Sequence, residues 1–196
     1  MKIALTPVSI ILCLALIACS RTAGESSPAA ELGTGLSLRL LAPATLGKTI
    51  VAVQSLELAA DGKTQTFISQ LEVDEERLAV ALFVALGPRV MSAALEKGSV
   101  HYERSPYLPL PIEPAQLLFY LQLIYWPAET LREHYGKQIV IEDVSAPAQQ
   151  RIIRREGRPL LNITYENTDS WRGKASLEAA NKSFILRVDT LSFSEK

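Results

Sequence analysis

Residues 114–126, PAQLLFYLQLIYW, are apolar almost all the way round a helix, and few folds can accommodate such a segment. At 1.5 Å per residue it would be about 20 Å long, too short for the roughly 30 Å of bilayer hydrocarbon. Gln116 and Gln122 lie about 240° apart on a helical wheel and define no single wet side. A helix of this kind is buried, so the rest of the chain must cover it. It is either a plug that completes a core or a lid over an apolar cavity that admits lipid. Glu113-Pro114 marks its start, because proline suits the first helical position. Pro127 interrupts it, and PAETLREHYG follows as a second, amphipathic helix that ends at Gly136.

The segments on either side read as strands. KTIVAVQSLELAA (48–60) and TQTFISQLEV (64–73) flank Asp61-Gly62-Lys63, and Asp-Gly between such runs signals a hairpin. Phe67, Ser69 and Leu71 face one way, and Ile68, Gln70 and Glu72 the other. RLAVALFVAL (77–86) is nearly all apolar, as in a strand covered on both faces or one whose second face meets something greasy. VMSAALEKG and SVHYERS turn at Lys97-Gly98. After the helices come QIVIED, QQRIIRRE, PLLNITYEN, GKASLEA and SFILRVDTLSF, the last pair turning at Asn181-Lys182. Strands, a helical insert and strands again predict an α+β fold, with a strongly curved antiparallel sheet holding the helices on its concave face. At 196 residues one domain can bury a core of that kind.

The N-terminus carries a second constraint. Lys2 precedes the short apolar stretch IILCLALIAC, the layout of a secretory signal. Leu16-Ile17-Ala18-Cys19 resembles the bacterial lipobox. The resemblance implies removal of residues 1–18 and a lipid anchor on Cys19, and two or three acyl chains make such an anchor effectively permanent. Cys13 would leave with the signal, so neither a disulfide nor a free thiol remains. Ser20, in place of the Asp of inner-membrane retention, implies the periplasmic face of the outer membrane in a Gram-negative bacterium. Residues 19–35 are rich in Ser, Ala, Gly and Pro and read as a lipidated flexible tether. The folded domain then covers 36–196.

Reactive chemistry has little to stand on. Neither GxSxG, HExxH, a P-loop nor a dinucleotide fingerprint occurs in the sequence, so no catalytic residue, cofactor or metal ligand is nominated. His101 shares a strand face with Glu103, and His134 falls in the last turn of a helix, where an imidazolium suits the dipole. Asp74-Glu75-Glu76 reads as a wet turn, and Trp171-Arg172 as a loop anchor. A formal net charge of −1 gives no footprint for nucleic acid. RIIRREGR groups Arg151, Arg154, Arg155 and Arg158. They are either polar guards on a sheet edge or a docking point for anionic head groups or an acidic partner.

A lipobox, a curved sheet, Leu86-Gly87 on a hairpin, a proline-flanked helical insert and return strands together resemble LolB-type lipoproteins. That superfamily forms an incomplete β-barrel closed by short helices around a hydrophobic cavity. ERSPYLPLPIEPAQLL, LQLIYWP and AETLREHY resemble, more closely, a lipoprotein family of unknown function encoded beside aryl-polyene biosynthesis genes. The resemblance implies membrane anchoring and binding of a lipid, acyl or aryl-polyene-lipid chain for transport or insertion at the outer membrane. It also implies acylated cargo, a periplasmic carrier protein as donor, and a role for Leu86 in passing cargo on. Phe83, Leu86, Met91, Leu118, Tyr120, Leu121, Ile124, Tyr125 and Trp126 are the expected cavity residues. The competing expectation is a non-enzymatic scaffold lipoprotein of an envelope biosynthesis or transport complex, in which the apolar helix is filled core.

Overall fold

Alternate side chains turn inward on strand after strand. In the computed structural model, which describes residues 22–26, 28–32, 35–106 and 110–196, this holds along most of the main sheet. Its strands are β1 (Thr22–Ser26), β4 (Ile50–Ala60), β5 (Lys63–Val73), β6 (Arg77–Phe83), β7 (Arg89–Glu96) and β8 (Ser99–Arg104), then β9 (Val140–Val144), β10 (Gln149–Arg155), β11 (Arg158–Tyr165), β12 (Gly173–Ala179) and β13 (Phe184–Glu195). β4 buries Ile50, Ala52, Gln54, Leu56 and Leu58, and β5 buries Phe67, Ser69, Leu71 and Val73. The order is β1-β8-β7-β6-β5-β4-β13-β12-β11-β10-β9, antiparallel throughout. β1 and β9 are not paired with each other, so the curved sheet is an incomplete barrel.

Local chemistry sets the register. Asp61 and Gly62 take φ of 51° and 73°, Lys97 and Gly98 50° and 79°, Glu156 and Gly157 51° and 77°. Two successive left-handed residues give the turn whose twist matches a hairpin. Register shifts at Leu82/Phe83, Ile153/Arg154 and Thr190/Ser192 add the extra residue that bends a strand. The upper rim is taken here as the end where β4 turns into β5, and the lower rim as the end where β5 turns into β6.

Helix α1 (Pro114–Tyr125) runs from the upper rim toward the lower, and α2 (Ala128–Tyr135) returns. α1 touches β6, β7, β8 and β12 on one side and β2 (Ala29–Glu31) on the other. β2 pairs with β3 (Ser37–Arg39) in a separate ribbon, which continues into a 3-10 turn at Pro43–Leu46. This N-terminal strap crosses α1 and buries Leu32, Leu36, Leu38, Leu40, Leu41 and Leu46 against it. The sheet covers one half of the apolar helix and the strap the other. Among the described residues no helix is long and apolar enough to cross a membrane.

The expected tether is corrected by these strands. Residues 22–26 extend the sheet along β8, and 29–31 belong to the strap. Pairing at a sheet edge uses backbone groups and needs no apolar pattern, so composition gave no sign of it. Gly24 fits there because it lies against Tyr102, whose hydroxyl a Cβ would approach to 2.6 Å. Cys19 and the signal segment lie outside the described residues.

Candidate functional site

Apolar packing holds α1, but polar groups fix its position. Its last carbonyls emerge inside the protein, where they need donors. Arg151 of β10, 7% exposed, donates from Nη1 to the carbonyls of Leu123 (2.7 Å) and Trp126 (2.9 Å). Its Nε and Nη2 grip Asp143 Oδ1 and Oδ2 at 2.8 and 3.2 Å. Tyr165 Oη donates to Ile124 O at 2.8 Å. One guanidinium and one phenol thereby close the helix end.

Gln122 does the same for the strap. It accepts from Leu41 N–H at 2.9 Å and donates to Leu41 O at 2.8 Å, like a neighbouring strand made of one side chain. Trp126 Nε1 donates to Thr45 Oγ1 (2.8 Å), and Tyr135 Oη to Arg39 O (2.7 Å). Beneath α1, buried Gln54 donates to Tyr125 Oη at 2.6 Å and accepts from Ser69 Oγ at 3.4 Å. Trp171 stacks on Tyr125 at 4.0 Å between ring centres, the loop anchor expected of it.

The expected cavity residues divide. Met91, Leu118, Tyr120, Leu121, Ile124, Tyr125 and Trp126 join one core. Leu118 and Leu121 have no exposed surface, and Leu117 and Leu123 beside them have none. The concave face is filled by α1. Phe83 does not belong to this set, because Leu82 takes the inward position and Phe83 turns outward opposite Ile68. Leu86 does not either: it stands fully exposed in the β6–β7 connection with φ of 54°.

Where α1 begins, the filled interior opens. A cleft of about 570 Å³ at the upper rim is lined by Leu32, Pro111, Tyr120, Leu160, Leu161 and Phe184, with Gln116, Asp61 and Asn181 at its border. The rings of Tyr120 and Phe184 lie 5.5 Å apart, and Gln116 donates to Tyr120 Oη at 2.9 Å. Polar and apolar surface are mixed in this cleft, and the side chains of Leu32, Tyr120, Leu160 and Phe184 supply the apolar part that a chain-like ligand would meet. A larger groove of about 710 Å³ lies on the outer face of β5 to β8, with Ala79, Ala81, Ala94 and Ser92 on its floor and Arg77, Arg89 and Glu103 among its walls. Sequence reading missed Phe184, Leu160 and Leu32, which sit far apart in the chain.

Of the four arginines, only three are available for docking. Arg151 is removed from that role because it caps α1 from inside. Arg154 reaches Glu142 at 3.1 Å, Arg155 lies 3.7 Å from Glu156, and Arg158 is exposed. His101 faces Glu25 across β1, and His134 Nδ1 lies 2.8 Å from Thr130 O. Among the described residues no three His, Cys, Asp or Glu side chains gather as a metal site would require.

Burial pushes the Tyr125 phenol up to about 12, against smaller opposing effects of its bonds to Thr190 and Gln54. Tyr135 and Tyr165 are likewise pushed upward by burial. The neutral forms are favoured in the fold, so this stability is complete below the unfolded value near pH 10 and is lost as pH rises through about 12. In an alkaline titration, tyrosinate absorbance from these three rings should appear together with unfolding. Full ionisation near pH 10 with the fold retained would contradict the packing described here.

The model of a family described as "Protein of unknown function (DUF3261)" matches residues 51–192. No curated protein matches the chain in sequence. Among solved structures, the chain is similar to MucB in complex with MucA(peri), at 11% identity over 80% of this chain and 53% of that one, TM-score 0.41. It is also similar to the Pseudomonas aeruginosa MucA/MucB complex, at 13% identity over 79% and 54%, TM-score 0.39. A third is a domain from Vibrio parahaemolyticus described as an outer membrane lipoprotein-sorting protein, at 11% identity over 76% and 85%, TM-score 0.34. The chain spans about half the length of the MucA/MucB-complex chains it matches.

Proposed function

The chain belongs to this DUF3261 family, and we propose that it is a membrane-anchored periplasmic lipoprotein that takes a lipid or acyl chain into the upper-rim cleft, by burial and without catalysis. The observation that supports the reading is a convergence at one rim. The cleft walled by Tyr120, Leu160 and Phe184 opens there. Leu86 projects from the same end of the sheet, and β1 begins there, since Thr22 pairs with Arg104 and Arg104 with Met91 at the top of β7. Two residues, Ser20 and Arg21, separate Cys19 from Thr22, a reach of about 11 Å. An acyl group on Cys19 would keep this rim close to the bilayer.

Leu86 supports the same orientation. A non-glycine residue in the left-handed region costs about 1–2 kcal/mol, and here no packing offsets it. Contact with an apolar medium would return about 1.5–3 kcal/mol for a leucine side chain. Cargo would gain about 0.8 kcal/mol for each methylene it buries. A lipidated protein from a periplasmic carrier, a free acyl lipid and an aryl-polyene lipid all present such a tail.

Native mass spectrometry of the mature chain from Ser20, exported behind a cleavable leader and followed by organic extraction, tests the reading. An acyl or polyene species at near-unit stoichiometry is the expected result, and Phe184→Asp, on the cleft wall, should lose most of it. A clean apo mass that persists when lipid is offered would overturn it. A second reading, the non-enzymatic envelope scaffold, is favoured by the filled interior around Leu118 and Leu121. Its partner contacts are then expected at Arg154, Arg155 and Arg158, not at Arg151.

A further inference from the structure

β1 is held chiefly by its backbone. It pairs with β8 from Thr22↔Arg104 to Ser26↔Val100 and has no strand on its other side. Ala23 and Glu25 are exposed, Gly24 and Ser26 are half-buried, and among the described residues the apolar core begins only at Ala30. The Ser26 hydroxyl is enclosed yet finds no hydrogen-bond partner among the described residues, a cost that release to water removes. Ordering five residues of backbone costs about what their ladder bonds return, so a strand without an apolar face docks only marginally. The docking is nevertheless specific. Gly24 lies against the Tyr102 ring, where a Cβ would come within 2.6 Å of the hydroxyl and 2.7 Å of Cζ. Glycine weakens a strand and marks such a close approach. Beyond β1 the chain is firmly seated: the Pro28 carbonyl accepts from Leu40 N–H at 2.8 Å, and Gln122 holds Leu41.

We propose that β1 is a releasable clasp that sets how far from the bilayer, and which way round, the anchored domain stands. The inference rests on the anchored-lipoprotein reading above and adds to it a control over where the cleft faces. With β1 docked, Cys19 is tied to the upper rim through Ser20 and Arg21, a reach of about 11 Å, and the cleft is held toward the membrane. With β1 released, the chain is free back to Pro28, nine positions after Cys19, and the reach grows to about 30 Å. No rim is then fixed at the bilayer, so the cleft turns to the periplasm and meets a donor there. Redocking brings it back to the membrane. The rest of the fold need not move, because the strap and the sheet keep their buried contacts in both states.

The test imposes the anchor chemically, so it depends neither on natural acylation nor on cargo. The chain from Cys19, made without acylation, has that one thiol, since Cys13 precedes it. It is coupled through Cys19 to a maleimide phospholipid in a supported bilayer, and neutron reflectometry reads the gap between domain and bilayer. Gly24→Val, which cannot dock against Tyr102, should widen the gap by roughly 5–10 Å. A wild-type chain with six Gly and Ser residues inserted between Ser20 and Arg21, which matches the released tether in length, should widen it as much. In solution, wild-type amides of residues 23–26 should exchange at least about a hundredfold faster than those of β4, and Gly24→Val should keep its thermal midpoint within about 2 °C of wild type. A gap unchanged by Gly24→Val, whether or not the insertion widens it, would overturn the proposal. So would β1 amides as slow as those of β4, or a Gly24→Val chain that no longer folds, because β1 would then be an integral strand. Cargo capture is read separately by the mass spectrometry above, so failure of the clasp and failure of cargo binding are distinguishable.

Discussion

Arg151→Met should destabilise the domain by about 3–5 kcal/mol while leaving a folded protein at low temperature. The side chain is almost wholly buried, and its removal strands the carbonyls of Leu123 and Trp126 and half-exposed Asp143. Methionine fills much of the volume, so the loss comes from unmet polar groups, each costing about 1–3 kcal/mol. At roughly 2–4 °C per kcal/mol for a chain of this size, the thermal midpoint should fall by about 6–20 °C. Arg151→Lys should recover little, because a point charge cannot serve two carbonyls and both oxygens of a carboxylate. A midpoint within 2 °C of wild type would mean that α1 does not depend on this latch.

Gln122→Leu should have the second largest effect, and a local one. The substitution leaves volume and helix propensity nearly unchanged but strands the N–H and C=O of Leu41, both buried under α1. Two lost partners correspond to about 2–4 kcal/mol. The response should concentrate in the strap: amide hydrogen exchange across residues 36–46 should rise by an order of magnitude or more, with β4–β5 little changed. Uniform exchange enhancement across the sheet would show instead that strap and sheet unfold as one unit.

Several hairpins were legible because they announce themselves locally. Asp61-Gly62 and Lys97-Gly98 name their turns, and alternation along Phe67, Ser69 and Leu71 names a face. α1 was legible too, from Pro114 to Pro127. Arg151 was misassigned for a physical reason: four arginines in eight residues look alike in sequence, and only the end of α1 lying over β10 selects one for burial. Phe83 was misplaced because β6 is apolar on both faces, so its sequence does not say that Leu78, Val80 and Leu82, and not Phe83, turn inward. Gln122, read as an interruption of the apolar surface, was a signal of a buried backbone partner.

By itself the sequence determined that one helix must be covered on all sides and that antiparallel strands surround it. Those properties follow from hydropathy and turn stereochemistry, which act over a few residues. Tertiary structure alone decided that the segment before Leu46 is the cover on the far side of the helix, and that the concave face is filled rather than hollow. It also decided which hairpin tips share a rim. These depend on contacts such as Gln122 to Leu41, 81 residues apart, and on ladder pairings such as Glu195 to Ile50. Free energy at such separations is set by packing and by satisfying buried polar groups, and no local window of sequence contains both partners.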